Sequence, residues 1–353
     1  MSRFTSRAGT STSDLSKDIR IQDSPGDSIS DLRFSPQADH LLAASSWDNT
    51  VKVYDINRPG NTKGVTQLGH DAPVLSCCWT SDGQRVFGAG VDKTIRMLDL
   101  GAGSQGQTTQ IAAAHDEPIR SVQSFIFNQS QMLVTGSWDK TIKYWDLRQQ
   151  TAIGTITCKD RVYSMSVRND KLLVVATADR WVHIIDLTNP TTVFKTIRSP
   201  MKHETRVVST STDGTAYILG GIEGRCAFKH IDDKNASKDF SFKCHRHPQT
   251  SSTTDKAYAV NAISVHPVHG TSSTAGSDGT VHIWDTDNKS RVKGFAEVGA
   301  AITATDFNKN GNVFAYGVGY DWSKGYAFSK GEEERRIALH EVREDEVKTK
   351  AKR

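Results

Sequence analysis

The stretch VTGSWDKTIKYWD, Val134–Asp146, decides the fold. Its second half alternates β-branched or aromatic residues with polar ones, the period of a half-buried strand. Its first half is a shorter apolar run, and Asp139-Lys140-Thr141 between the two is a tight turn of a kind that Asp favours. The unit recurs along the chain. AASSWDNTVKVYD (Ala43–Asp55), FGAGVDKTIRMLD (Phe87–Asp99), VATADRWVHIID (Val175–Asp186) and TAGSDGTVHIWD (Thr274–Asp285) keep the pattern; LGGIEGRCAFKH (Leu219–His230) and VFAYGVGYDW (Val313–Trp322) are degenerate copies. The turn acids are Asp48, Asp92, Asp139, Asp179, Glu223, Asp278 and Asp321, spaced by 44, 47, 40, 44, 55 and 43 residues. Upstream of each pair lies another apolar strand, such as ISDLRFSP (Ile29–Pro36) or VNAISVHP (Val260–Pro267). A repeat of roughly 40–45 residues, each with several strands, is the period of a four-stranded propeller blade. The chain is read as all-β, a seven-bladed propeller whose blades 1 to 7 carry the seven turn acids in order.

A ring leaves open strand edges unless its ends pair. DIRIQD (Asp18–Asp23) is therefore expected as the outer strand of blade 7 and RRIALHEV (Arg335–Val342) as its third strand, with Tyr320–Glu334 a long insertion. This divides the chain into a disordered N-terminal tail (1–17), the propeller (18–342) and a charged C-terminal tail (343–353). A net charge of +4 over 353 residues is too mild to demand nucleic acid, and 36% hydrophobic residues is too apolar for a disordered chain. Five cysteines without a C-x-x-C give no disulfide framework, and no apolar run is long enough to span a bilayer. The expectation is a protein of the cytosol or nucleus with no membrane partner.

Blade 3 resembles the WD40 family most closely, through His115, Thr135, Asp139 and Trp145. In that family a loop His, strand Ser/Thr, turn Asp and strand Trp form a buried hydrogen-bonded chain, and buried polar groups must be paired. His70, His115, Asp92 and Asp139 are thus structural. No enzyme motif is present: G-x-S-x-G, Walker A and H-E-x-x-H are all absent. Gly101–Gly106 spells G-x-G-x-x-G but is followed by a strand, not a helix, and is read as a loop. Cys244, His245, His247, His266 and His269 are zinc-ligand types, but neighbours alternating along one strand point to opposite faces, and no second Cys pair completes the set. Neither a metal nor a cofactor is expected, nor is catalysis.

The departures from the repeat carry more information. Blade 5 has Glu223-Gly224-Arg225 where others have Asp-Lys-Thr or Asp-Gly-Thr; Arg225 suits either a salt bridge to Glu223 or a fork for a partner's carboxylate. FKCHRH (Phe242–His247) is a short basic run, and GYDWSKGYAF (Gly319–Phe328) puts Trp322 and two tyrosines in the insertion. Together with SSWDNT, GSWDKTIKYWD, YAVNAI, HPVHGT and GSDG, these strings resemble the family of nuclear-pore mRNA export factors, over about Asp18–Phe328. The mitotic-checkpoint WD40 family of kinetochores shares SSWD, IEGR, FKCHR and VNAI; HPVHGT and YDWSKG favour the export factors.

The resemblance implies a non-enzymatic adaptor, a monomer entering a heterodimer. It would sit in the nucleus at the nuclear pore complex, and also in the cytoplasm. Its partner would be the GLEBS segment of an FG-repeat nucleoporin, which carries paired glutamates and lies across one propeller face; a kinetochore adaptor of the spindle checkpoint, with checkpoint proteins as partners, is the alternative. The matching GLEBS-binding positions are Trp47, Arg225 and Arg246. The family is also associated with RNA near a basic surface. The candidates for contact with single-stranded RNA or an mRNP are Lys243, Arg246, Trp284 and Lys289, with Trp284 equally readable as an ordinary strand-end blade tryptophan.

Overall fold

The computed structural model describes residues 12–13, 15, 17–57, 64–101, 107–113, 115–149, 151–248, 255–329 and 334–349. Among the described residues seven blade sheets follow one another along the chain, with a separate two-stranded hairpin, Arg246–Pro248 with Asp255–Ala257. Blade 1 is Ile29–Phe34, Leu41–Ser46, Thr50–Asp55 and Gly64–Gly69; blade 3 is Ile119–Phe127, Ser130–Ser137, Thr141–Asp146 and Ala152–Thr157. The first strand of each blade touches the first strand of the next, and Ile302–Phe307 of blade 7 meets Ile29–Phe34 of blade 1, so the ring closes. Hydrogen bonds step in parallel between these innermost strands: Ser30 Oγ to the Val74 carbonyl, Ser76 Oγ to Asp31, Trp79 Nε1 to the Arg33 carbonyl. Parallel inner strands put every turn between second and third strands on one face of the ring, the turn face.

The turn chemistry is uniform. The residue after each turn acid has positive φ: Asn49, Lys93, Lys140, Arg180, Gly224, Gly279 and Trp322, between 62° and 70°. In five of the seven turns the acid's side chain accepts the backbone N–H two residues on, from Thr50, Thr94, Thr141, Thr280 and Ser323. That bond supports Asn49, Lys93, Lys140 and Trp322 in the left-handed region, while beside Arg180 the Asp179 carboxylate accepts from Thr177 Oγ1. The seventh, weakest copy of the repeat obeys it too, with a tryptophan in the strained slot.

The core lies between blades: Ile29, Leu32 and Tyr54 of blade 1 pack with Ala315, Ile337 and Leu339 of blade 7 and with Ile21. Closure follows the expected route. Ile19–Arg20 pairs with Leu339 and Ala338, and Arg336–Glu341 pairs with Val313–Val318. The tails are shorter than the sequence reading makes them. Thr12–Ser13 adds a parallel fifth strand to blade 6 beside Gly294 and Phe295, because an outer edge left open offers its backbone groups to any nearby strand. Glu344–Val347 forms one helical turn that buries Val347 in the core between blades 6 and 7, where the Val347 carbonyl accepts from Thr271 Oγ1 at 2.9 Å. The G-x-G-x-x-G loop lies, beyond Gly101, outside the described residues.

Candidate functional site

Among the described residues, two blades carry the full polar chain. In blade 3, His115 Nδ1 meets Asp139 at 2.7 Å, its Nε2 meets Thr135 Oγ1 at 2.7 Å, and Trp145 Nε1 donates to the same hydroxyl at 2.8 Å. Blade 6 repeats this with His245, Asp278, Thr274 and Trp284, at 2.8, 3.0 and 2.9 Å. Burial lowers the His115 pKa, and the Asp139 carboxylate does not offset it. At His245 burial also opposes the charge, but the bonds from Asp278 outweigh it and raise the pKa. These polar groups are spent on the blades.

The turn face is where the irregular residues converge. Trp47, ahead of the blade 1 turn, stacks on Trp322 with ring centroids 5.1 Å apart, and Tyr320 packs on Trp322 at 5.6 Å. With Trp138, the matching residue of blade 3, and with Arg206, they line a cavity of about 330 Å³ over the mouth of the central channel. All four aromatic residues are half-buried. The insertion that supplies two of them is pinned. The Asp321 carboxylate accepts from Asn261 and from Ser277, Arg206 donates to the Asp321 carbonyl at 3.0 Å, and Ser28 Oγ donates to the Tyr320 carbonyl at 2.9 Å. Burial opposes ionisation of Asp321, yet the donors from Ser277, Ser323 and Asn261 hold its pKa below the usual carboxylate value.

Across the face, Arg225 opens the third strand of blade 5, half-buried. No pair with Glu223 forms: Glu223 accepts instead from the Lys202 N–H at 3.1 Å. Among the described residues the Arg225 guanidinium has no hydrogen-bonding or ionic partner. Arg246 is different. Its Nε donates to the Glu223 carbonyl at 2.8 Å, and it packs on Gly224, so it braces the turn that presents Arg225.

The RNA candidates are not brought together. Trp284 is 4% exposed and serves as the fourth member of the blade 6 chain, so its ring is not a stacking platform. Lys243 pairs with Asp255 at 3.0 Å, the carboxylate that Arg246 also approaches at 3.9 Å. Lys289 sits over the ring of Phe240, three residues and so roughly 10 Å along the blade 5 outer strand from Lys243. The zinc-type residues are likewise spent elsewhere. His245 lies in the loop after that strand and not on it, His247 bonds Asp278 at 3.0 Å, and His266 bonds the Gly311 carbonyl at 3.0 Å. Sequence reasoning passed over Trp138 and Arg206 as site residues; the Trp-Asp pair shared with Trp47 was a usable signal for the first.

The family model described as WD domain, G-beta repeat matches residues 17–55, 62–99, 106–146 and 242–285. The chain is 48% identical over 347 residues to mRNA export factor GLE2 of Chaetomium thermophilum, spanning 98% of this chain and 96% of that protein. It belongs to the WD40 family of mRNA export factors. Other family members are the Poly(A)+ RNA export protein of Schizosaccharomyces pombe, 46% identical over 99% of this chain and 97% of that one, and the mRNA export factor of Xenopus tropicalis, 41% identical over 93% and 90%. The repeat model passes over the core of blades 4, 5 and 7. Two of these, blades 5 and 7, supply Arg225, Tyr320 and Trp322.

Proposed function

We propose that the chain is a non-enzymatic adaptor of mRNA export at the nuclear pore, docking through its turn face on the GLEBS segment of an FG-repeat nucleoporin. The names of its relatives support the export role. The observation that carries the docking mode is Arg225, a half-buried guanidinium with no carboxylate of its own among the described residues. An acidic segment crossing the face would supply one, and Trp47, Trp138 and Trp322 would take its apolar side chains, aromatic and Arg anchors being what peptide interfaces favour. Arg246 acts through the turn as a positioning residue. RNA then reaches the adaptor through a partner, because its expected basic contacts are divided and two share one carboxylate.

The test is calorimetric titration of the chain with a GLEBS peptide. Losing one member of a buried charged pair costs about 2–5 kcal/mol, or roughly 30- to 3000-fold in affinity, so Arg225→Ala should weaken binding by that range and Arg225→Glu by more. Unchanged titrations for both variants, with unchanged melting, would overturn the docking mode.

A further inference from the structure

Two thiols meet beside the turn that presents Arg225. Cys226 follows Arg225 in the third strand of blade 5 and is fully buried; Cys244 follows the outer strand Phe240–Lys243 and is partly exposed. Cys226 pairs in register with Phe242, so Cys244, two residues on, shares its face, and the two Sγ atoms lie 3.5 Å apart. The other three cysteines, Cys77, Cys78 and Cys158, are buried. Burial opposes the Cys244 thiolate, but the bond from Cys226, the charge of His245 and the His245 N–H outweigh it and lower the Cys244 pKa; burial raises that of Cys226. A partly exposed thiol that ionises, with a buried thiol in reach of it, is the arrangement of a peroxide-sensing cysteine and its resolving partner.

The pair is tied to the turn at two points. The Cys244 N–H donates to the Gly224 carbonyl at 3.0 Å, and Arg246, two residues on, donates to the Glu223 carbonyl at 2.8 Å. Gly224 has φ 65°, and a Cβ on it would run into the His245 carbonyl, so the turn and this segment are in close contact. A disulfide holds its sulfurs about 2.05 Å apart, roughly 1.5 Å closer than they stand. His245 resists the movement, because Asp278 and Thr274 lock its ring into blade 6, and the displacement falls on Gly224–Cys226. We propose that Cys226 and Cys244 are a redox switch: hydrogen peroxide joins them in a reversible disulfide that displaces the turn bearing Arg225. In the first step the Cys244 thiolate attacks one peroxide oxygen, the O–O bond breaks, and Cys244–SOH and hydroxide form; the hydroxide takes up a proton as water. The Cys226 sulfur then attacks the Cys244 sulfur, and the S–O bond breaks as the S–S bond forms. The departing hydroxyl leaves with the Cys226 proton as a second water, so the two thiols lose two electrons to the peroxide. Exchange with a free thiol reverses the bond, and in a reducing compartment such disulfides are transient. The effect of the displacement on peptide affinity rests on the docking reading of Arg225 above.

The experiment treats the full chain with hydrogen peroxide, blocks the remaining thiols by alkylation and maps the cysteines by mass spectrometry. The expected product is a peptide cross-linked through Cys226 and Cys244 that dithiothreitol separates. Cys226→Ala should stop at the first step, so that dimedone, a sulfenic-acid reagent, labels Cys244 in the variant and not in the wild type. Hydrogen exchange over residues 221–226 should change on oxidation of the wild type and stay constant in Cys226→Ala. No cross-link, a cross-link through another cysteine, equal dimedone labelling of the two proteins, or unchanged exchange in the cross-linked chain would each overturn the proposal. Titration with the GLEBS peptide reads the consequence: the oxidised wild type should bind about tenfold more weakly, and dithiothreitol should restore it. The Arg225 variants are titrated in reductant, so a failure of the docking reading shows there, whether or not the bond forms.

Discussion

His245 and Trp284 show how a single inserted hairpin can hide a residue's role. In blades 2 and 3 the loop His precedes the turn Asp by 22 and 24 residues; in blade 6 the gap is 33. The extra length is the hairpin Arg246–Pro248 with Asp255–Ala257 and the residues between them. Counting from the repeat therefore finds His115 and misses His245, and without its His the blade 6 tryptophan looks free. Three-dimensional pairing returns both to the core. Thr274→Val should orphan the His245 and Trp284 nitrogens together and cost about 3 kcal/mol, at roughly 1–3 kcal/mol for each unsatisfied group. Urea unfolding measures it, and Thr135→Val in blade 3 should match. Blade 2 has a reduced version in which Gly88 replaces the hydroxyl residue, and a Cβ there would lie 2.6 Å from His70 Nε2.

At the scale of elements, the insertion after blade 7's second strand was legible as irregular but not as rigid. Nothing in GYDWSKG announces that Asp321 bonds two residues of the neighbouring blade, since those partners, Asn261 and Ser277, lie 60 and 44 residues away. Trp322 sits there at φ 62°. Its left-handed backbone costs roughly 1 kcal/mol or more, and its ring stacking returns about 0.5–1.5 kcal/mol. Trp322→Gly should thus leave Tm nearly unchanged while weakening GLEBS-peptide binding; Trp322→Ala keeps the strain, loses the stacking, and should melt lower than the Gly variant. Melting curves beside titrations of the two variants decide this. The C-terminal turn was equally hard to foresee, being one apolar residue in a charged run. A chain ending at Val342 loses Glu346 and Val347 and should melt several degrees below one ending at Thr349, by differential scanning calorimetry.

The whole molecule is a ring closed by charge as well as by strands. The blade count and the closing strand could be read from the turn acids and from the need to cover an edge, because both follow from local pattern. The charged clasp could not, since it joins distant residues. His340 Nδ1 bonds Asp18 at 2.8 Å, its Nε2 bonds Glu346 at 3.0 Å, and Tyr316 donates to Asp18 at 2.8 Å. Burial disfavours the imidazolium, but the bonds to Asp18 and Glu346 prevail and raise its pKa to about 9. A raised pKa means that the clasp contributes fully below the unfolded value of about 6.5, and that the contribution is lost as pH rises through about 9. His340→Phe removes the cation shared by Asp18 and Glu346, leaving Glu346 its pair with Arg343 at 2.7 Å, and should cost about 3 kcal/mol at pH 6.5. Melting of both proteins from pH 6 to 10 should show that gap narrowing above pH 9; parallel profiles would remove the His340 charge from closure.

The same clasp sets an order of events during synthesis. Asp18 leaves the ribosome 322 residues ahead of its partner His340. Blades 1 to 6 are each assembled from contiguous chain apart from the Thr12–Ser13 strand, and can form as they emerge, but blade 7 waits for the last strand. Contacts of such long sequence separation are slow to make. Until they form, the nascent ring has two unpaired sheet edges, and that interval is when a chaperone, or a second nascent chain, has its opportunity to bind.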